Sequence, residues 1–248
     1  MKQDFTIAGP FGELSGVINL CEAEDKRRNV LVMVHGFRGS MDGGGRAIKL
    51  AEELSQDICS VVRFNFTWCT MLSNQIAELK AVLDFVRETL KPEKLFLLGR
   101  SFGGATSIIV ACEDNTYRPD GLVLWSAPNS LKSTFVQVLG EDAFQAALQQ
   151  GKAVVLDDER GRDEIPPAFV SDLMKYDVAE LLKKWQSGPL LILHGEKDCI
   201  VTPDQAKTNL EIAGGIKELH YLEGDNHHLD LRCKEAIELV KNWMKKNI

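Results

Sequence analysis

The stretch from Leu95 to Gly104 constrains the fold of this 248-residue chain more than any other. It reads LFLLGRSFGG, which is a short apolar strand, then the pattern Gly-x-Ser-x-Gly, then the start of a predicted helix over 102–112. A serine between two glycines at a strand-to-helix junction sits on a sharp turn that lifts its hydroxyl above the sheet edge. The first N–H groups of the helix point at that hydroxyl and stabilise negative charge there. An ordinary glycine-rich turn is the alternative reading of so short a motif.

Buried strands alternate with helices along most of the remaining chain. Short apolar runs bounded by turn residues predict strands buried on both faces, as in a parallel sheet. The predicted strands lie at 5–7, 14–18, 30–34, 58–66, 95–98, 121–125, 189–193 and 217–222. The predicted helices that separate them lie at 46–55, 74–90, 102–112, 178–186, 203–213 and 231–246. This alternation predicts an α/β fold, with a mostly parallel eight-stranded sheet that is covered by helices on both faces.

The segment 129–175 interrupts this alternation. It is predicted to contain one helix from Thr134 to Gln149, followed by a short apolar run and an acidic turn. The segment is too long for a strand-to-helix loop in a compact domain, and such insertions often form lids over functional sites. We therefore expect one domain over 1–248 with an inserted cap at 129–175. Phe135 and Leu139 of this cap are candidates to bind substrate, although packing of the cap onto the body is their alternative use.

The Ser101 hydroxyl would need two partners to act as a nucleophile. A base must take its proton, and a carboxylate must orient that base. In chains with such a turn the expected order is Ser, then Asp or Glu, then His. Asp198 follows the strand at 189–193, and His227 follows the last strand. The sequence thus places Ser101, Asp198 and His227 in the expected order at the ends of predicted strands.

Two of these assignments have rivals close by in the sequence. His228 directly follows His227 and is an alternative base. Asp225 and Glu196 are alternative carboxylates. Asp225 lies only two residues from His227, so local hydrogen bonds within its loop are the more natural use of its side chain.

Four motifs together resemble those of serine esterases of the α/β-hydrolase superfamily. They are His-Gly-Phe at 35–37, Gly-x-Ser-x-Gly at 99–103, His-Gly-x-x-Asp at 194–198 and Gly-x-x-His at 224–227, so the match covers nearly the whole chain. Within the superfamily the chain is most similar to carboxylesterases with a small inserted cap, such as the feruloyl and cinnamoyl esterases. The resemblance implies the α/β-hydrolase fold, with Ser101 as nucleophile, His227 as general base and acid, and Asp198 as the orienting carboxylate.

An acyl-transfer site of this kind also needs two backbone N–H groups that bind the oxyanion. We expect one from Phe102, directly after Ser101, and the other from Phe37 in the His-Gly-Phe motif. The Phe37 side chain is also a candidate wall of the acyl pocket. Arg38 beside it is a candidate to bind a substrate carboxylate, and a solvated arginine is its alternative.

The sequence therefore predicts a serine hydrolase that cleaves carboxylic esters of short, medium or aromatic acyl groups through an acyl-enzyme. No metal and no cofactor is required, and the expected partner is a small-molecule ester. A thioesterase, an amidase or peptidase, and an acyltransferase use the same machinery, so they stay open. A non-catalytic protein that binds a small molecule on this scaffold is the alternative from a different class. The oligomeric state is not predicted.

Charge and cysteine usage narrow the partners and the compartment. The net charge is −7 and no long Lys/Arg run occurs, which argues against nucleic acid and anionic membranes as partners. The N-terminal residues lack the apolar core of a signal peptide, and no apolar run approaches the length that spans a bilayer. The six cysteines are scattered with no Cys-x-x-Cys pair, which favours reduced thiols in a cytoplasm over a metal or disulfide framework.

Overall fold

The strands lie close to where the apolar runs predict them, in a computed structural model that describes residues 1–68, 71–186 and 188–248. They are β1 (Lys2–Gly9), β2 (Gly12–Asn19), β3 (Asn29–Val34), β4 (Ser60–Phe64), β5 (Lys94–Arg100), β6 (Gly121–Trp125), β7 (Val154–Asp158), β8 (Gly161–Ile165), β9 (Leu190–Gly195) and β10 (Lys217–Leu222). The helices are α1 (Arg46–Asp57), α2 (Leu72–Leu90), α3 (Phe102–Glu113), α4 (Leu131–Leu139), α5 (Glu141–Gln150), α6 (Pro167–Leu173), α7 (Val178–Leu182), α8 (Pro203–Ile212) and α9 (Cys233–Asn247).

Eight of the strands form one sheet in the order β1-β2-β4-β3-β5-β6-β9-β10. Strand β2 runs antiparallel to both of its neighbours, and every other pair in the sheet is parallel. The prediction of a mostly parallel eight-stranded sheet is confirmed. The parallel strands β5, β9 and β10 end at the same edge of the sheet, so the loops that follow them meet there.

The sheet is covered on both faces, as predicted. Successive side chains of a strand point to opposite faces. In β3, Val30, Val32 and Val34 pack in a hydrophobic cluster with residues of α2 and α3. Leu31 and Met33 of the same strand pack in a second cluster with residues of α1 and α9. This alternation explains why the strand reads as a continuous apolar run in the sequence.

The inserted segment 129–175 contains α4, α5, the antiparallel hairpin β7–β8 and α6. The prediction of a single helix from Thr134 to Gln149 is wrong. Gly140 has a φ of 84°, in the left-handed region, and it separates α4 from α5. The segment is fastened to the body by Asp172, whose buried Oδ2 accepts a hydrogen bond from the Ser73 N–H at the start of α2 (2.8 Å).

Two elements are shorter than the sequence predicts. The helix predicted over 178–186 ends at Leu182, and β4 is shorter than the strand predicted over 58–66. The cysteines that the structure describes are unpaired thiols, and Cys69 lies outside the described residues. Within those same ranges, no helix is both long and apolar enough to cross a membrane.

Candidate active site

Ser101 occupies the tight turn between β5 and α3. Its backbone has φ 51° and ψ −125°, a conformation that residues with a side chain rarely adopt. The Ser101 N–H donates to the Trp125 carbonyl at 2.9 Å, which fixes the turn to β6. A Cβ on Gly99 would lie 2.5 Å from the Gly103 oxygen, and one on Gly103 would lie 2.3 Å from the His35 oxygen. Only glycine fits at both positions, so the Gly-x-Ser-x-Gly pattern is a direct consequence of this turn.

The loops after β5, β9 and β10 bring Ser101, Asp198 and His227 together. His227 Nε2 lies 2.8 Å from Ser101 Oγ, and His227 Nδ1 lies 2.7 Å from Asp198 Oδ2. A carboxylate can only accept a hydrogen bond, so the His227 proton belongs on Nδ1. That tautomer leaves Nε2 free to accept the hydroxyl proton of Ser101. The three side chains therefore form a continuous hydrogen-bonded chain in the direction that activates the serine.

Asp198 is almost fully buried and accepts hydrogen bonds on both of its oxygens. Its Oδ1 accepts from the N–H groups of Ile200 and Val201, both at 2.9 Å. Its Oδ2 accepts from His227 and lies 3.2 Å from Nε2 of His194. Burial alone would raise the pKa of Asp198, but the hydrogen bonds from His194 and His227 outweigh it and hold that pKa well below its usual range. The carboxylate is therefore ionised when it orients His227.

His228, the rival base, is bonded to the inserted segment. Its Nε2 lies 2.9 Å from Nη2 of Arg160, at the turn of the β7–β8 hairpin. Burial lowers the pKa of His228 to about 4, with smaller contributions from the charges of His227 and Arg160. The ring is neutral at pH 7, and its Nε2 accepts from Arg160.

The two rival carboxylates serve their own loops. Glu196 Oε2 accepts from the Gly224 N–H at 2.9 Å. Asp225 is fully buried and accepts from three backbone N–H groups that precede α9, those of Asn226, Leu231 and Arg232. Neither carboxylate is hydrogen-bonded to His227, which leaves Asp198 as its partner.

The loop after β3 lies against the serine turn. A Cβ on Gly36 would be 3.0 Å from Cβ of Ser101 and 3.5 Å from the backbone nitrogen of Phe102. Phe102 is the first residue of α3, where the N–H has no partner within the helix. The N–H of Phe37 donates to no backbone carbonyl among the residues that the structure describes. Both predicted oxyanion donors therefore lie in segments that meet next to Ser101.

The direction of the Phe37 N–H is set by the carbonyl of the same peptide unit. The Gly36 oxygen accepts from Nδ1 of His35 at 2.9 Å and from the Gly39 N–H at 3.0 Å. The C=O and N–H of a trans peptide point in opposite directions. Two hydrogen bonds that hold the Gly36 oxygen on one side therefore aim the Phe37 N–H to the other side.

His35 holds the Gly36 carbonyl in place, and sequence reasoning missed this role. Its Nε2 accepts from the Phe66 N–H at 3.1 Å, while Nδ1 donates to the Gly36 oxygen. Burial lowers the pKa of His35, and the charge of Arg100 lowers it further. The ring is therefore neutral with its proton on Nδ1. The only sequence signal was a histidine placed at a strand end directly before Gly-Phe.

The side chains of Phe37 and Phe102 pack against two aromatic residues of the inserted segment. These are Phe135 of α4 and Phe169 of α6, and we call the four rings the aromatic cluster. Its ring centroids lie between 5.0 and 6.2 Å apart, mostly in edge or tilted arrangements. Leu139 is buried in the same hydrophobic core. Phe37 and Phe135 are thus in contact, while Phe169 is a neighbour of the site that sequence reasoning missed.

The alternative interpretation of Arg38 as a solvated arginine is wrong. Its side chain is only 3% exposed, and each of its three guanidinium nitrogens donates to the β7–β8 hairpin. Nε donates to Asp163 Oδ2 (2.5 Å), Nη1 to Asp158 Oδ2 (2.7 Å) and Nη2 to the Gly161 carbonyl (2.8 Å). Arg38 therefore pairs with carboxylates of the chain itself instead of standing free for a substrate carboxylate.

The second arginine near the serine, Arg100, has a different environment. Its guanidinium lies over the Trp125 ring, 5.3 Å from the centroid, a cation–π contact. Burial and, to a smaller extent, the nearby charge of Arg46 lower the pKa of Arg100 to about 10. Among the described residues, no group of three or more His, Cys, Asp or Glu side chains is arranged to hold a metal ion.

No family model and no curated protein matches the sequence, whereas solved structures match nearly all of it. Est1E from Butyrivibrio proteoclasticus is 17% identical, with a TM-score of 0.80 and 98% of each chain covered. The esterase domain of a Rhodothermus marinus protein is 19% identical, with a TM-score of 0.74 over 99% of this chain and 98% of that one. A serine hydrolase without lid from Xanthomonas campestris is 20% identical, with a TM-score of 0.68 over 99% and 94%.

These similarities agree with the strand order and with the position of the serine turn. One antiparallel strand lies near the edge of a parallel sheet, helices cover both faces, and the turn follows the central strand β5. Asp198 follows β9 and His227 follows β10, at the same edge of the sheet. The chain has the α/β-hydrolase fold, in common with these esterases and serine hydrolases.

Proposed function

We propose that this chain is a serine hydrolase that cleaves carboxylic esters with short, medium or aromatic acyl groups. One observation carries the proposal, the hydrogen-bonded chain from Ser101 through His227 to Asp198. A protein that only bound a small molecule would not need a histidine held in the one tautomer that accepts the serine proton.

In the proposed reaction, Ser101 Oγ attacks the ester carbonyl as His227 Nε2 takes the hydroxyl proton. Asp198 stabilises the imidazolium that forms, without taking the proton itself. The N–H groups of Phe37 and Phe102 bind the oxyanion, and loss of one such donor typically costs about 2.7–4 kcal/mol of barrier. His227 then gives its proton to the leaving alcohol, and the acyl group stays on Ser101. Water, deprotonated by the same nitrogen, releases the acid and restores the serine.

We propose that residues 129–175 act as a cap over Ser101 and that Phe37 and Phe135 contact the acyl group. The aromatic cluster supports a flat or short acyl group, because the two residues that would bind the oxyanion, Phe37 and Phe102, carry large rings that pack against Phe135 and Phe169. Est1E, which shares the fold, has been solved with ferulic acid bound, and ferulic acid is an aromatic acid. We also propose a cytoplasmic location, since the described cysteines are unpaired thiols.

Hydrolysis of a p-nitrophenyl ester series from acetate to octanoate, with a hydroxycinnamoyl ester beside it, tests the proposal. Ser101→Ala should abolish turnover, while Ser133→Ala, at an exposed serine of α4, should leave it unchanged. Equal rates in Ser101→Ala and the unsubstituted enzyme would refute the nucleophile. Competition by matched thioester and amide analogues separates an esterase from a thioesterase or amidase that uses the same residues. If no ester is cleaved by either protein, the esterase proposal fails and the binding protein takes its place.

A further inference from the structure

Arg38 stands at a backbone position that favours glycine. The Gly39 N–H donates to the Gly36 oxygen at 3.0 Å, which closes a turn with Phe37 and Arg38 at its centre. The φ of Arg38 is 51°, in the left-handed region that residues with a Cβ avoid. Since the backbone conformation itself disfavours an arginine, the side-chain contacts of Arg38 must compensate.

These contacts fix the turn to the β7–β8 hairpin of the cap. The guanidinium bonds two carboxylates and one carbonyl of the hairpin while almost fully buried. Asp163 also accepts on its other oxygen from Nε1 of Trp68, at 2.9 Å. A buried arginine that loses its carboxylate partner is strongly unfavourable. The contacts of Arg38 with the hairpin are therefore expected to break all at once, when the hairpin moves away from the turn, and not one by one.

The neighbouring Phe37 ring is held by the cap as well. It packs against Phe135 at 5.3 Å and against Phe169 at 5.2 Å between ring centroids. The peptide that carries the Phe37 N–H therefore lies between two supports. His35 holds its carbonyl from the body side, and the cap holds the two residues that follow it.

The turn of the β7–β8 hairpin also contacts the loop after β10, which carries His227. Arg160 bonds His228, which directly follows His227 in the chain. The hairpin thus contacts both the loop that carries the oxyanion donor Phe37 and the loop that carries the proposed base. Docking of one small element is linked to the geometry of both.

We propose that Arg38 is a positioning residue, through which the oxyanion hole depends on docking of the β7–β8 hairpin. The inference rests on the proposed function, since it concerns the oxyanion of that same reaction. While Arg38 is bonded to Asp158 and Asp163, the Phe37 N–H is directed at the hole. When the hairpin leaves, the turn is held from the body side alone, and the Phe37 N–H is no longer kept in the direction of the hole.

Arg38→Gly is the sharpest test, because glycine suits the φ of the turn and removes only the tether. We expect kcat for p-nitrophenyl acetate to fall about 100-fold or more, which is the effect of losing one oxyanion donor. The KM for so small an ester should stay within about threefold, since the tether does not bind substrate. Asp163→Asn should lower kcat by less than Arg38→Gly does but by more than about threefold, and Arg38→Lys should recover part of the activity lost in Arg38→Gly.

The matched control is Asp157→Asn, at an exposed hairpin residue whose ion pair is with Arg162 of the same hairpin. It should behave as the unsubstituted enzyme. A role of Arg38 in stability alone predicts a lower melting temperature with kcat per folded molecule kept within threefold, and that result would overturn the inference. Should Arg38→Gly not fold, Asp163→Asn decides by the same criterion. Turnover that survives Ser101→Ala would reject the proposed function, whereas loss in Ser101→Ala with full kcat in Arg38→Gly rejects only the tether.

Discussion

Replacement of Asp198 by asparagine removes one charge from the centre of the site and keeps the shape of the side chain. The orientation of the new amide follows from its neighbours. The N–H groups of Ile200 and Val201 can only donate, so the amide oxygen must stay on their side, where Oδ1 accepts at 2.9 Å from each. The amide NH2 then faces His227, whose Nδ1 lies 2.7 Å from the position it occupies.

Two donors cannot share a hydrogen bond, so His227 must move its proton from Nδ1 to Nε2. In that tautomer Nε2 cannot accept the proton of Ser101, although every atom is still in place. In a Ser-His-Asp site this change lowers kcat about 10⁴-fold, which corresponds to about 5.4 kcal/mol in the barrier. We expect a loss of this size in Asp198→Asn with little change in KM.

The assay is kcat and KM with the best ester of the p-nitrophenyl series, scaled to the folded fraction of each variant. Asp225→Asn is the matched control, because Asp225 is a buried aspartate of the neighbouring loop whose side chain accepts from three backbone N–H groups. It should lose stability and keep kcat within about twofold per folded molecule. If Asp198→Asn retains more than a tenth of the activity, or if Asp225→Asn loses as much, the assignment of the orienting carboxylate is wrong.

Two further substitutions test the turn that carries Ser101 and the contact between His228 and Arg160. Gly103→Ala should cost several kcal/mol of unfolding free energy and most of the activity, because its Cβ would lie 2.3 Å from the His35 carbonyl oxygen. The control is Gly45→Ala, where the φ of 87° is strained but no atom lies within 4 Å of the new Cβ. It should cost only about 1–2 kcal/mol in urea unfolding. The pKa of His228, about 4, lies below its unfolded value, so the folded state binds fewer protons and loses stability as pH falls from about 6.5 to 4. His228→Gln, which can still accept from Arg160, should flatten that loss in melting curves between pH 7 and 4, and an unchanged slope would contradict the assignment.

The sheet and the proximity of Ser101, Asp198 and His227 were predictable because the signals are local. Each buried strand reads as an apolar run, and Ser101, Asp198 and His227 each follow such a run. Parallel strands end at one edge of a sheet, so residues far apart in sequence meet there without further information. The rivals His228 and Glu196 are set apart by contacts between different loops, whereas the local hydrogen bonds of Asp225 were expected from its place in the sequence.

The inserted segment was less predictable for two physical reasons. The helical periodicity continues through Gly140, and only its left-handed φ divides α4 from α5. Strand β8, over Gly161–Ile165, consists mainly of polar and exposed residues, so it lacks the alternation that indicates a half-buried strand. Its position depends on Arg38, more than a hundred residues away in the chain. No local pattern carries that information.

The aromatic cluster has a consequence for how such a chain can change by mutation. The two residues whose N–H groups would bind the oxyanion, Phe37 and Phe102, carry the rings on which Phe135 and Phe169 rest. A substitution of Phe135 or Phe169 that accommodates a new acyl group therefore also shifts Phe37 and Phe102, on whose N–H groups turnover would depend. Substitutions at these two pairs of residues are therefore expected to be epistatic, so the inserted segment 129–175 cannot be exchanged as an independent module.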